Sequence, residues 1–423
     1  MKDKRRNLRW FAAVAVMIFA VVLLTSCGKK GQNAGSLDSV TQEVQEAADD
    51  ADSDVSAQDA TSDGEADSSA TDLTPSQAND EGSTSPGGAG STSAGATSSA
   101  SAGATSSASA GATSSASAGA AGLFSQHGKL SVEGTQLVDA YGQPFQLHGV
   151  STHGLAWYPQ YVNEDAFRTL RDDWGANVVR FAMYTAENGG YCTGGDREKL
   201  VSTIQTGLDA CTNLDMYAII DWHILSDNDP NMHIDDAKDF WNKVSKAYSS
   251  RDNVIYEICN EPNNTSWESV KTYADTIIPI IRSNDADAVI ICGTPTWSQD
   301  VDLVAKNPLE HMENVMFAVH FYAATHTDYN RQKVMTALQA GTPVFISEFS
   351  FCDASGNGDI DQASTDAWKK LIDEKNLSYC GWSLSNKAET SALIKASCAK
   401  TSAWTDDELS ESGKILKSWL KGE

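Results

Sequence analysis

Residues 31–122 contain no lysine or arginine and few large apolar side chains, yet they carry 14 aspartates and glutamates. A segment of that kind cannot bury enough surface to fold by itself, so it reads as a tether and not as a packed domain. From Ser93 the unit SAGATSSA occurs three times in succession and closes in SAGAAG. A period of eight small residues offers no position that could build a core, which excludes a solenoid. A flexible chain of this length has an r.m.s. span on the order of 50 Å, extended further where the acidic half repels itself.

Metal-ligand spacing is missing as well. Neither C-x-x-C nor H-E-x-x-H occurs, so a zinc site is not expected and no metal or cofactor is called for. Of the eight cysteines, seven follow Cys27, and an odd number excludes a fully paired disulfide framework. Cys259, Cys292 and Cys380 sit in apolar strand-like runs and read as small buried hydrophobes. Cys352 and Cys398 fall in loops, and a bridge between them stays open. Basic charge is scarce throughout. From residue 123 onward 24 lysines and arginines face 42 aspartates and glutamates, a net of −18 within the −26 of the whole chain. Such a domain repels nucleic acid and anionic surfaces, which leaves a neutral substrate as its natural partner.

Positive charge does gather at the start. Lys2, Lys4, Arg5, Arg6 and Arg9 precede the apolar run WFAAVAVMIFAVVLL, and TSCGKK follows. A basic start, a hydrophobic centre and a small-residue end form a secretory signal. The centre is shorter than the roughly 20 apolar residues of a comfortable spanning helix. LTSC (Leu24 to Cys27) resembles the bacterial lipobox. That resemblance implies a signal peptide over 1–26, a lipidated Cys27 and a disordered linker over 27–122. The alternative is an uncleaved anchor helix. Either arrangement holds residues 123–423 outside the cytoplasm, touching the membrane only through its anchor.

Those last 300 or so residues alternate short β-branched runs with helical patterns of roughly 10–18 residues, which predicts parallel βα units and a (β/α)₈ barrel. Eight strands are expected, within FQLHGVSTH, NVVRFAMY, YAIIDWHI, VIYEICNEP, AVIICGTPTW, VMFAVHFYA, PVFISEFS and SYCGWSLSN. Helices are expected within DAFRTLRDDW, LVSTIQTGLDACTNL, DAKDFWNKVSKAY and SVKTYADTIIPIIRS. In TDDELSESGKILKSWLKG, Thr405 and Glu408 form a capping-box signal for a closing helix. The stretch GKLSVEGTQLVDAYGQPFQL reads as a small hairpin sealing the barrel floor. An open doubly wound sheet would want a Gly-rich phosphate loop after its first strand, and GVSTHG is not one.

Chemistry in a barrel sits at the C-terminal strand ends. There the chain offers His153, Arg180 with Tyr184, Asp221 with His223, Asn260 with Glu261, Trp297, His320 with Tyr322, Glu348, and Trp382. Side chains two apart share a face. That parity groups Arg180 with Tyr184, Asp221 with His223, His320 with Tyr322, and Glu257 with Cys259 and Glu261. Asn260 falls on the other parity and reaches the same site only if the strand bends before Pro262. Glu261 and Glu348 lie three βα units apart, so they cap the fourth and seventh strands on one rim. Two carboxylates facing across a cleft of aromatics, without a metal cluster, fit glycoside hydrolysis. Glu257, lower on its strand, reads as a structural carboxylate paired with a buried base. His148 and His311 read as scaffold residues, His233 and His326 as loop residues.

The motifs HGVSTHGLAWYP, VVRFAMYT, DWHIL, VIYEICNEPN, GTPTWSQDV, VHFYAATH, ISEFS and GWSLSNKAETSAL together resemble a glycoside hydrolase family 5 endoglucanase of the bacterial cellulase type, over 127–423. The resemblance implies Glu261 as acid/base and Glu348 as nucleophile. It puts Asn260 and His223 at the subsite of the scissile bond, Arg180 and Tyr322 on the nucleophile and His320 beside the acid/base. Trp382 becomes the sugar platform, with a cis peptide before Ser383. His153, Trp157, Tyr184, Lys387 and Glu389 match positions holding the next glucose, and Trp297 lies on the leaving-group side. The implied partners are β-glucan polysaccharide and cello-oligosaccharides, bound by a monomeric, retaining endo-β-1,4-glucanase. The alternatives are a relative preferring mannan, xyloglucan or mixed-linkage glucan, or a non-catalytic carbohydrate-binding lipoprotein. The run EFSFCDASGNGD departs from the family pattern after the nucleophile, at Phe349 and Cys352.

Overall fold

A computed structural model of the chain describes residues 123–423. The signal peptide expected at 1–26, the lipidation expected at Cys27 and the linker expected over 27–122 lie outside the described residues.

An antiparallel hairpin, β1 (Ser131–Glu133) and β2 (Gln136–Val138), comes first. Eight parallel strands then close into a barrel in chain order: β3 (His148–Thr152), β4 (Val178–Tyr184), β5 (Tyr217–His223), β6 (Val254–Glu257), β7 (Ile290–Cys292), β8 (Val315–Tyr322), β9 (Val344–Ser350) and β10 (Tyr379–Leu384), the last pairing back onto β3. Helices Arg197–Asn213, Ile234–Tyr248, Trp267–Asn284, Asp328–Gln339, Gln362–Lys375 and Glu411–Lys421 follow individual strands. Their starts are written into the sequence. Asn163, Asp196, Ser266, Asp361 and Ser410 each accept, through the side chain, the backbone N–H three residues on. That satisfies donors which the first helical turn leaves unpaired.

The barrel interior is layered by strand parity. At the floor Val178, Ile219, Ile255, Met316, Phe345 and Cys380 form a buried apolar cluster with Leu130 and Leu137. Leu137 comes from the β1–β2 hairpin, which closes that end as expected. Two residues further along three of these strands the polarity inverts. Arg180 stands above Val178, Asp221 above Ile219 and Glu257 above Ile255, all wholly buried. The catalytic rim rests on this charged layer.

Several expectations need correction. β6 ends at Glu257 and β7 at Cys292, both earlier than their apolar runs suggest. Cys259 does not share Glu257's face. Ile258 and Cys259 both join the outer apolar shell, so alternation breaks there and the next residues swing back inward. The backbone N–H of Asn260 then donates to the Trp222 carbonyl at 3.1 Å, keeping the chain beside β5 after β6 has ended. The Thr405–Glu408 capping box serves a 3₁₀ turn over Asp406–Glu408, while Ser410 caps the closing helix. Cys352 and Cys398 are free thiols, not a bridge. His311 is exposed on a loop and is no scaffold residue, whereas His326 does lie in a loop, after β8, where it is buried.

Candidate active site

Arg180 organises the site from below. Its guanidinium donates to Glu257 through Nε (2.6 Å) and Nη2 (3.1 Å), to Asn260 Oδ1 (2.6 Å), to Ser151 Oγ (3.1 Å) and to Glu348 Oε2 (3.2 Å). Asp221 Oδ2 lies 3.1 Å from Nη2. Burial opposes the positive charge, but Asp221 and Glu257 hold the guanidinium well above its ordinary range. Burial would raise Glu257 too. Here the Arg180 charge wins and brings it down to about 2, as suits a structural carboxylate. Asp221 goes the other way, because burial outweighs Arg180 and pushes it well above the usual carboxylate range. One cation faces three carboxylates in a dry layer, and Asp221 is the one least able to stay ionised.

The orientation of Asn260 follows by donor counting. Its Oδ1 accepts from Arg180, so Nδ2 donates to the Ile224 carbonyl at 3.1 Å and to His223 Nε2 at 3.2 Å. His223 Nε2 must therefore accept, which puts the ring proton on Nδ1, donated to Asp221 Oδ2 at 2.6 Å. Burial lowers His223 to about 3, in keeping with a neutral ring.

Glu348 receives one hydrogen bond on each oxygen, from the Tyr322 hydroxyl at 3.0 Å and from Arg180 at 3.2 Å. Glu261 is met by His320 Nδ1 at 2.9 Å, and His320 Nε2 lies 2.9 Å from Ser347 Oγ. Burial disfavours the imidazolium, yet the Glu257 carboxylate 3.8 Å away and the hydrogen-bonded Glu261 overcome it and lift His320 to about 9. A carboxylate oxygen of Glu261 and one of Glu348 lie within 4.8 Å of each other and of a His320 ring nitrogen. A protonated His320 disfavours a cation at that spot.

Aromatic rings line the rest of the rim. Trp382 stacks on His223 with centroids 5.3 Å apart and 16° between planes, and a cis peptide joins it to Ser383. His153 lies 5.1 Å from Trp382, and Tyr184 links His223 (4.1 Å) to Trp157 (4.6 Å). Trp157 is anchored by its indole N–H on the Asn188 carbonyl (3.1 Å), and Lys387 pairs with Glu389 (2.7 Å). Trp297 stands across the rim, 44% exposed, within three successive left-handed residues, Thr296 (φ 59°), Trp297 (φ 52°) and Ser298 (φ 56°). Such backbone costs about 1–3 kcal/mol per residue. It is held by the Trp297 N–H on the Pro262 carbonyl (3.0 Å) and by Ser298 Oγ, which donates to the Asn260 carbonyl (2.6 Å).

The structure thus brings together the residues singled out at the strand ends except Trp297, which is linked to them only through its backbone on Pro262, and some of their supports carry no signal in the sequence. Ser151 joins Asp221 in bracing Arg180. His326 Nδ1 accepts the Tyr322 N–H at 2.8 Å, fixing the strand end that carries the phenol. Ser347 could not be found by parity, because it neighbours Glu348. Between the pairs Ala318–Phe345 and His320–Glu348 the β8–β9 register slips by one, so an extra residue on β9 lets both Ser347 and Glu348 serve the site.

Comparison with known proteins gives a consistent picture. A family model described as cellulase (glycosyl hydrolase family 5) matches residues 138–388. The chain is 48% identical over 294 residues to Endoglucanase A of Butyrivibrio fibrisolvens, covering 69% of this chain and 68% of that protein. It is 46% identical over 299 residues to an endoglucanase of Clostridium saccharobutylicum, covering 70% and 65%. Among solved structures, the catalytic domain of Thermobifida fusca endoglucanase Cel5A in complex with cellotetraose superposes with a TM-score of 0.67 at 35% identity, covering 70% of this chain and 99% of that one.

Proposed function

The chain belongs to glycosyl hydrolase family 5, and from that membership we propose that it is a retaining endo-β-1,4-glucanase with Glu348 as nucleophile and Glu261 as acid/base. The observation that carries this reading is the approach of the two carboxylates to within 4.8 Å. Retaining enzymes hold their pair about 5–5.5 Å apart, whereas inverting enzymes need about 6.5–9.5 Å to admit a water.

The chemistry follows from the hydrogen bonds. Glu348 attacks the anomeric carbon while Glu261 gives its proton to the departing glycosidic oxygen, leaving a glycosyl ester on Glu348. Water then attacks that carbon, Glu261 takes its proton, and Glu348 departs as a carboxylate. Two donors aim Glu348 into the cleft. His320 Nδ1, 2.9 Å from Glu261, fixes the orientation of that carboxyl in the cleft. Trp382 offers a flat apolar face to the sugar whose bond is cut, with His153, Trp157, Tyr184, Lys387 and Glu389 toward the next glucose. Trp297 receives the leaving side. The signal-like N-terminus and the lipobox-like cysteine support an extracytoplasmic, lipid-anchored enzyme, suited to a polymer too large to enter a cell.

The test is reducing-sugar release from carboxymethylcellulose by the full chain, with mannan, xyloglucan and mixed-linkage glucan in parallel. Carboxymethylcellulose should be cleaved. Glu348→Ala and Glu261→Gln should each lose at least ~10³-fold in turnover while still binding cello-oligosaccharides. Turnover by Glu348→Ala comparable to the unaltered chain would remove its role. Tight oligosaccharide binding without product from any β-glucan would make the chain a binding protein.

A further inference from the structure

Cys192, His233 and Asp236 take no part in the chemistry above. Cys192 lies in the loop after β4, its N–H donating to the Thr185 carbonyl at 2.9 Å. His233 immediately precedes helix Ile234–Tyr248 without capping it, and Asp236 stands in that helix's first turn. One ligand atom from each, a sulfur, a ring nitrogen and a carboxylate oxygen, lies within 4.8 Å of the other two. All three residues are half-buried, so an ion can reach them. We propose that Cys192, His233 and Asp236 bind a borderline divalent cation of the zinc class, tying the loop after β4 to the start of the helix after β5.

The donor set selects that class. Thiolate, imidazole and carboxylate are the side chains zinc takes, and three protein ligands leave a fourth position for water. Calcium and magnesium want six or more oxygens, and a single carboxylate with a thiol does not supply them. A helix start is a poor place for a cation, but Asp235 and Asp236 in its first turn offset that field. Arg197 occupies Asp236 Oδ1 at 2.8 Å, leaving Oδ2 for the ion. A metal takes cysteine as the thiolate, so the ion must displace the thiol proton. Binding therefore releases a proton and strengthens as pH rises. Cys192 comes from the loop after β4, while His233 and Asp236 come from the start of the helix after β5, so no short cysteine spacing in the sequence marks the set.

The experiment uses the full chain, stripped with chelator and kept reduced, titrated with Zn²⁺ by calorimetry and with Cd²⁺ by thiolate-to-metal absorption. One tight Zn²⁺ equivalent is expected, with affinity rising up to about tenfold per pH unit as the thiol proton is lost. Cys192→Ser and His233→Ala should weaken it at least ~100-fold while glucan hydrolysis and metal-free melting temperature stay unchanged. The cadmium–thiolate band should appear in the unaltered chain and vanish in Cys192→Ser. Equal Zn²⁺ binding by the unaltered chain and Cys192→Ser would place the ion elsewhere and overturn the proposal. So would the absence of any cadmium–thiolate band in the unaltered chain, a result that needs no variant to fold.

Discussion

At the scale of the residue, the site works by fixing its charged side chains with specific hydrogen-bond partners. Glu348 shows it best, with a phenol on one oxygen and a guanidinium on the other. Tyr322→Phe removes the first without touching the charged layer beneath. A hydrogen bond to a charged group is worth about 1.5–3 kcal/mol. Turnover should therefore fall about 10–100-fold with little change in melting temperature, and steady-state kinetics beside a thermal melt would show both. Arg180 behaves differently. Arg180→Leu strands Asp221, Glu257 and Glu348 without a counter-charge in a dry layer, and the domain should lose about 3–5 kcal/mol in urea unfolding.

At the scale of the element, the sequence is most readable where the period-2 pattern holds. β4, β5 and β8 obey it, which is why parity alone groups Arg180 with Tyr184, Asp221 with His223 and His320 with Tyr322. It fails where a strand gains or sheds a residue. The extra residue on β9 hides Ser347, and the outward turn of both Ile258 and Cys259 misplaces Cys259. Bulges and early strand ends are set by cross-strand hydrogen bonding, which a single run of letters does not contain. The hairpin β1–β2 offers a clean test of the division between floor and rim. Leu137 is 3% exposed and belongs to the floor cluster, at the end of the barrel opposite the carboxylates. Leu137→Ala should cost about 2–4 kcal/mol in unfolding free energy and leave turnover unchanged.

At the scale of the whole molecule, the buried titratable groups set a pH window. Burial lowers His153 and His223 to about 3 and His326 to about 4, from an ordinary 6.5. Below 6.5 the unfolded chain takes up protons that these folded rings refuse, so stability falls as pH drops. Glu257, brought down to about 2, adds its loss at still lower pH, while Asp221, pushed up by burial, partly opposes the trend. His320, raised to about 9, has the opposite sign: its contribution is complete below 6.5 and disappears as pH climbs through 9. Melting temperature should therefore peak near about pH 6.5 and decline on both sides, more steeply in acid where four rings act together, His148 being lowered by burial as well. A melting temperature flat from about pH 4 to 9 would contradict this balance.

The central claim is that two carboxylates from the fourth and seventh barrel strands share one sugar ring in a double displacement. Proton NMR of cellotetraose during its first minutes with the full chain reads this directly from the new reducing end. The β-anomer should appear first and convert to α only at the rate of mutarotation. An α-anomer formed first would mean a single inversion, and Glu348 could then be no nucleophile, nor Glu261 its acid/base.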